Sequence, residues 1–200
     1  MKLIKILNKQ FGNPTGLLGY LVGWVMPLKN KNRTDWLIEK LNYNPTDKIL
    51  EIGYGSGAVL QKIAKSLNSG IIIGIDHSKI MFKQALSKNR QNIKDKKALL
   101  YCGEIWDLNN TTNAFDIIFG SNVHFFWKNP VSEFTHLYSL LNSNGKLVMV
   151  FQPRWAKSEE EIKQIAEKTK IQFSEAGFKT IEIQFKSMKP VTCIYIMGLK

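Results

Sequence analysis

Three glycines on alternate positions, Gly53, Gly55 and Gly57, follow the apolar run Ile49-Leu50-Glu51-Ile52 and precede Ala58-Val59-Leu60. The pattern reads as a strand, a glycine-rich turn and the first turn of a helix. Glycine has no Cβ, so such a turn lets the backbone approach a ligand closely and take up left-handed dihedrals. It also aims the free amides of a helix N-terminus at whatever is bound. Gly53, Gly55 and Ala58 satisfy G-x-G-x-x-G/A, so the glycines alone leave a dinucleotide and other nucleoside ligands both open. Glu51 and the third glycine, Gly57, extend the pattern to E-x-G-x-G-x-G.

Other chemistries have little support. Cys102 and Cys193 lie in apolar, strand-like surroundings and are expected to be buried free thiols. His77, His124 and His136 are scattered and no H-E-x-x-H occurs, so no metal site is expected. No tyrosine has a lysine four residues on, which disfavours a short-chain dehydrogenase.

Strands and helices alternate from about residue 47, as positioning such a turn requires. Strands are expected over Lys48–Ile52, Ile71–Ile75, Ala98–Cys102, Phe115–Phe119 and Lys146–Phe151, with a final pair at Thr180–Phe185 and Val191–Met197. The run Ile71-Ile72-Ile73-Gly74-Ile75 suits a parallel strand covered on both faces. Val59, Ile63 and Leu67 mark one helix and Ser78 caps the next. Asn129-Pro130 starts a third, and Ser158 with Glu161 forms a capping box for a fourth that ends near Gly177. Asn142-Ser143-Asn144-Gly145 reads as a turn. Upstream, helices are expected over residues 3–10, 15–28 and 33–41. The fold class is α/β, a Rossmann-like, seven-stranded, mostly parallel sheet closed by a C-terminal antiparallel hairpin, with an N-terminal helical extension.

The chain of 200 residues carries a net charge of +12, yet only Arg33, Arg90 and Arg154 among its 28 basic residues are arginine. Lysines without a long basic run read as solvated helix faces, so a nucleic-acid partner is disfavoured. Lys2 and Lys5 before the apolar stretch Gly16–Leu28 superficially resemble a signal peptide, but Gly12 and Pro14 interrupt it and no small-x-small cleavage site follows. The stretch is short of the roughly 20 apolar residues a membrane span needs. The expected localisation is cytoplasmic. Peripheral contact of Gly16–Leu28 with a membrane surface, helped by Lys29, Lys31 and Arg33, stays open.

From Asp47 to Lys200 the chain resembles the class I S-adenosyl-L-methionine (SAM) methyltransferases, in particular the small ubiquinone/menaquinone-biosynthesis-like (methyltransferase type 11) members. The landmarks run in that family's order: Leu50-Glu51-Ile52-Gly53-Tyr54-Gly55-Ser56-Gly57, Gly74-Ile75-Asp76, Gly103-Glu104, Phe115-Asp116-Ile117-Ile118-Phe119, and Leu141 to Leu147. In the last, Gly145 stands alone where the family carries a proline and paired glycines. The resemblance implies two regions, an extension at 1–46 acting as a lid and a methyltransferase domain at 47–200. It implies SAM as cofactor and a small-molecule acceptor.

It also implies roles by position. Gly53, Tyr54, Gly55 and Gly57 form the loop around the methionine end of SAM, with Glu51 holding the loop and favouring the cationic amino group. Asp76, about twenty residues beyond the first glycine, accepts from the ribose hydroxyls. His77, Glu104 and Ile105 flank the adenine, and Ser121 adds backbone contacts to the methionine end. Asn122 and His124 are the candidates for contacting the acceptor, His124 as a general base. Phe11, Tyr20, Trp24 and Trp36 are candidates for an apolar lid. The expected activity is methyl transfer to a small apolar or aromatic acceptor. No Asn/Asp-Pro-Pro-aromatic motif follows the fourth strand and no Pro-Cys occurs, which argues against the usual nucleic-acid base methylases. The alternatives are a SAM-binding module without turnover and an RNA-directed methyltransferase.

Overall fold

A computed structural model describes residues 31–108 and 114–200. Helix α1 (Lys31–Leu41) leads into strand β1 (Lys48–Ile52), and α2 (Ala58–Ser66) into β2 (Ile71–Asp76). Helices α3 (Lys79–Lys88) and α4 (Arg90–Lys94) precede β3 (Ala98–Cys102), and a 3-10 turn at Ile105–Asp107 follows it. Strand β4 (Phe115–Ser121) ends in a second 3-10 turn, His124–Phe126, before α5 (Pro130–Leu140) and β5 (Leu141–Phe151). Helix α6 (Glu159–Glu175) and strands β6 (Thr180–Lys186) and β7 (Cys193–Leu199) complete the chain.

The seven strands form one sheet in the order β3-β2-β1-β4-β5-β7-β6. β7 runs antiparallel to both β5 and β6, and the remaining ladders are parallel. The order reverses between β1 and β4, where Ile52 aligns with Ile75 on one side and Gly120 on the other. In an open α/β sheet the crevice beyond the carboxyl ends at such a reversal is where a ligand enters.

Alternating residues of the same strands feed two cores. Ile49, Ile72, Ile117, Phe119, Val148, Val150 and Tyr195 pack with Trp36, Leu37, Leu60 and Ile63 from α1 and α2. Leu50, Ile73, Ile118, Met149, Phe151 and Ile194 pack with Phe134, Leu137 and Phe173 from α5 and α6. A strand buried on both faces has to be apolar at successive positions, which is why β2 reads as an unbroken apolar run.

The helix ends are chemically explicit. Ser78 Oγ accepts from Met81 N–H, and Asn129 Oδ1 accepts from Ser132 N–H with Pro130 opening α5. Ser158 Oγ accepts from Glu161 N–H at 3.1 Å, while the Glu161 carboxylate reaches back to Lys157 N–H, one residue earlier than a regular capping box. Beyond α6, Gly177 takes φ +109°.

Three expectations need correction. Asn142–Gly145 belongs to β5 rather than to a free turn, because the ladder with β4 slips from Phe115–Leu141 to Ile117–Lys146 and absorbs the extra residues as an irregularity. Cys102 is exposed, not buried, since it is the last residue of the edge strand β3; Cys193, on interior strand β7, is buried. The last strand begins at Cys193, because Val191 and Thr192 still belong to the loop carrying Pro190. The helices expected over residues 3–10 and 15–28, with Phe11, Tyr20 and Trp24, lie outside the described residues, whereas Trp36 is buried in the core. No helix among the described residues is long and apolar enough to cross a membrane.

Candidate functional site

The carboxyl ends of β1, β2, β3 and β4 bring together the residues that the sequence singles out. Gly53, Gly55 and Gly57 have φ values of +68°, +54° and +72°, a run of left-handed conformations that L-residues with a Cβ rarely adopt. Gly53 N–H donates to Ile75 O at 2.8 Å, and Gly57 N–H to Tyr54 O at 2.9 Å. A Cβ on Gly53 would lie 2.4 Å from Val123 Cγ1, so the loop after β1 and the loop after β4 touch across the order reversal. Tyr54 is buried within the loop, and its hydroxyl donates to Tyr101 O at 2.9 Å, bracing the loop against β3.

Two carboxylates stand beneath this loop. Asp76, at the end of β2, accepts from Gly55 N–H through Oδ2 at 2.8 Å and from Ser78 N–H through Oδ1 at 2.9 Å. One carboxylate thus orients the glycine loop and the start of α3, and each oxygen keeps a further lone pair. Glu51 is 3% exposed, and its Oε2 has no hydrogen-bond partner among the described residues. Burial holds its carboxyl well above the usual carboxylate range, Asp76 adds to the effect, and a backbone hydrogen bond from Leu60 opposes it. A buried acceptor without a donor costs stability, and a cation beside it would restore what burial removed.

Along the β3 edge, Gly103 N–H donates to Asp76 O, and Glu104 N–H donates to Asp107 Oδ2 at 2.8 Å. Glu104 and His77 are exposed, while Ile105 is buried and its carbonyl lies 2.9 Å from His136 Nε2. Partly buried Ser121 ends β4. Asn122 takes φ +56°, and its Oδ1 accepts from Gln152 N–H at 2.9 Å, so its amide ties the loop after β4 to the end of β5.

His124 is 3% exposed, and neither ring nitrogen has a partner among the described residues. Its ring lies 4.0 Å from that of Phe125 and 4.5 Å from that of Phe151, with Trp127 and Phe134 completing an aromatic cage. Burial lowers its pKa to about 3, so the imidazole is neutral at ordinary pH. Asp116, in the fourth sequence landmark, sits at the other end of the sheet: it accepts from Lys48 N–H and Asn142 Nδ2 and holds the strand starts together.

The sequence reasoning passed over Gln152 and Trp155. Gln152 carried the clearest available signal, a polar residue directly after an apolar strand. Trp155 reaches the loop after β4 by ring contact, edge to face with Phe125 at 4.5 Å. A ring-to-ring meeting between residues thirty positions apart leaves no local pattern.

Residues 49–145 match the family model described as a methyltransferase domain. Over 171 residues the chain is 30% identical to the uncharacterized methyltransferase YdaC of Bacillus subtilis, covering 85% of this chain and 92% of that protein. A malonyl-[acyl-carrier protein] O-methyltransferase of Ilyobacter polytropus is 35% identical over 54% of this chain, which spans only 37% of that relative's length. In three dimensions, magnesium protoporphyrin IX methyltransferase from Synechocystis PCC 6803, solved with S-adenosylhomocysteine, superposes with a TM-score of 0.65 at 16% identity, covering 90% of this chain and 84% of that one. The chain belongs to the class I SAM-dependent methyltransferases. It is an enzyme of that class, and SAM is its methyl donor.

Proposed function

We propose that this methyltransferase acts on a small apolar or aromatic acceptor seated over the carboxyl ends of β4 and β5. The observation that carries this reading is the concentration of aromatic rings there: Phe125, Phe126 at 60% exposure and Trp155 at 55% exposure. Large apolar side chains left this open around a site mark a surface that binds apolar ligand.

The residues fit the cofactor. The buried Glu51 Oε2, without a partner among the described residues, suits the cationic amino group of SAM, and the loop Gly53–Gly57, with Tyr54 bracing it, presents backbone to the methionine end. Asp76 offers its remaining lone pairs to the ribose, with His77, Glu104 and Ile105 on the adenine side and Ser121 under the methionine end. SAM, when bound, supplies an activated methyl group on its sulfonium.

The protein's own contribution is to bind, orient and exclude water. Alignment of this kind can account for about 7–11 kcal/mol of a barrier. His124 and Asn122 face the acceptor side. Neutral His124 offers a free lone pair or N–H to an acceptor hydroxyl, and Asn122 holds the loop that carries it. The test is calorimetric titration with SAM, S-adenosylhomocysteine and NAD, on the wild type and Asp76→Ala, followed by a screen of aromatic and aliphatic acceptors. Tight SAM binding and turnover with an apolar acceptor support the reading. SAM binding with turnover only on polar or macromolecular acceptors would overturn the acceptor class.

A further inference from the structure

Arg33, near the start of α1, is 6% exposed. Buried charge is costly unless it is paired and hydrogen-bonded. Among the described residues Arg33 enters no ion pair, unlike Lys62, which pairs with Asp35, and Lys170, which pairs with Glu167. Its Nη1 donates to Gln152 Oε1 at 3.1 Å, a neutral acceptor. The groups that act on it electrostatically are Cys193 and Arg154. Burial pushes the Cys193 thiol up to about 12, so it stays uncharged at neutral pH, and Arg154 adds a second positive charge. Glu159, which lies along the same edge, accepts from Thr192 Oγ1 and forms no ion pair with Arg33.

The guanidinium is also held in position. Gln152 Nε2 donates to Val191 O at 2.7 Å, which aims Oε1 at Arg33, and Gln152 N–H donates to Asn122 Oδ1. The chain Arg33–Gln152–Asn122 thus runs from α1 to the loop that carries His124. α1 runs antiparallel to β5, since Asn42, just beyond its far end, accepts from Lys146 Nζ in mid-strand, whereas Arg33 near its start meets Gln152 just past the strand's carboxyl end. Arg33 therefore stands at the carboxyl edge, beside β5 and β7. The glycine loop belongs to β1, two strands away from β5, or about 10 Å at ordinary strand spacing. A buried, oriented guanidinium without a counter-charge among the described residues, on the acceptor side of the cofactor cradle, is suited to bidentate capture of a carboxylate.

We propose that Arg33, held by Gln152, binds the carboxylate of the methyl acceptor, so that the acceptor is a small organic acid with an apolar or aromatic body. This rests on the acceptor reading above and deepens it. The test uses the full chain saturated with S-adenosylhomocysteine and compares benzoate with its neutral isostere benzamide by ligand-observed NMR. Benzoate is expected to bind at least about tenfold more tightly than benzamide. Arg33→Met erases that preference, and Gln152→Glu does so independently by placing a carboxylate beside Arg33. Arg33→Lys keeps part of it, and all three variants bind S-adenosylhomocysteine as the wild type does. The proposal is overturned by absent benzoate binding, by equal binding of acid and amide, or by a preference that survives both Arg33→Met and Gln152→Glu. A parallel loss of S-adenosylhomocysteine affinity would also overturn it, because Arg33 would then serve the cofactor. If the wild type binds no S-adenosylhomocysteine, the cofactor assignment fails separately, and the same acid–amide comparison on the free protein still decides for or against the carboxylate site.

Discussion

Gly55 N–H donates to Asp76 Oδ2 at 2.8 Å, so the turn after β1 takes its shape from a carboxylate at the end of β2. A residue expected to read the ribose also shapes the neighbouring glycine loop. Its second oxygen, bonded to Ser78 N–H, extends the same control to the entry of α3.

Asp76→Ala should therefore do more than remove a ribose contact. Two backbone donors lose their acceptor, a loss of about 1–3 kcal/mol for each that stays unpaired. SAM affinity should fall at least about tenfold and the urea midpoint should drop, read by calorimetry and by denaturation of the same preparations. A variant that loses affinity without any change in midpoint would show that Asp76 does not support the loop.

Glu51→Gln separates stability from binding. The folded-state pKa of Glu51 is raised, so its contribution is most favourable below the ordinary value of 4.5 and is lost as pH rises through the folded value. Without ligand, Glu51→Gln should be more stable than the wild type at pH 7–8, and the gap should close toward pH 4.5. It should also bind SAM more weakly, having lost the carboxylate proposed to meet the ammonium. Thermal melts over that pH range, with and without SAM, check both halves.

His124 carries the opposite sign. Its folded pKa of about 3 lies below the ordinary 6.5, so the folded state binds fewer protons and stability falls as pH drops from 6.5 toward 3. His124→Phe fits the same aromatic cage and should flatten that loss while lowering affinity for a hydroxyl-bearing acceptor. Identical acid denaturation curves for wild type and variant would contradict the assignment.

Gly53→Ala should strain the loop twice, through φ +68° and through the 2.4 Å approach of the new Cβ to Val123 Cγ1. The left-handed penalty alone is about 1–2 kcal/mol. Adding Val123→Ala should remove the steric part and return some, but not all, of the stability and SAM affinity. Full recovery would mean that the dihedral costs nothing.

The strands of the sheet, the caps at Ser78, Asn129 and Ser158, and the glycine loop were legible because each depends on residues within a few positions of one another. Hydrophobic runs, capping side chains and glycines on alternate positions are local signals, and together they determined an α/β sheet with a nucleoside-type turn and pointed to Glu51 and Asp76. The slip in the β4–β5 ladder and the exposure of Cys102 were not legible, because both depend on which strands become neighbours and which lie at the edge. The enclosure of the His124 ring by aromatic side chains, the bond from Gln152 N–H to Asn122 and the seat of Arg33 beside Gln152 arise between segments up to 119 positions apart. Burial and charge balance depend on everything packed around a group. The sequence by itself therefore determined the α/β sheet and the glycine turn beside Glu51, while the tertiary structure decided the surroundings of His124, Gln152 and Arg33, where side chains from separate elements converge.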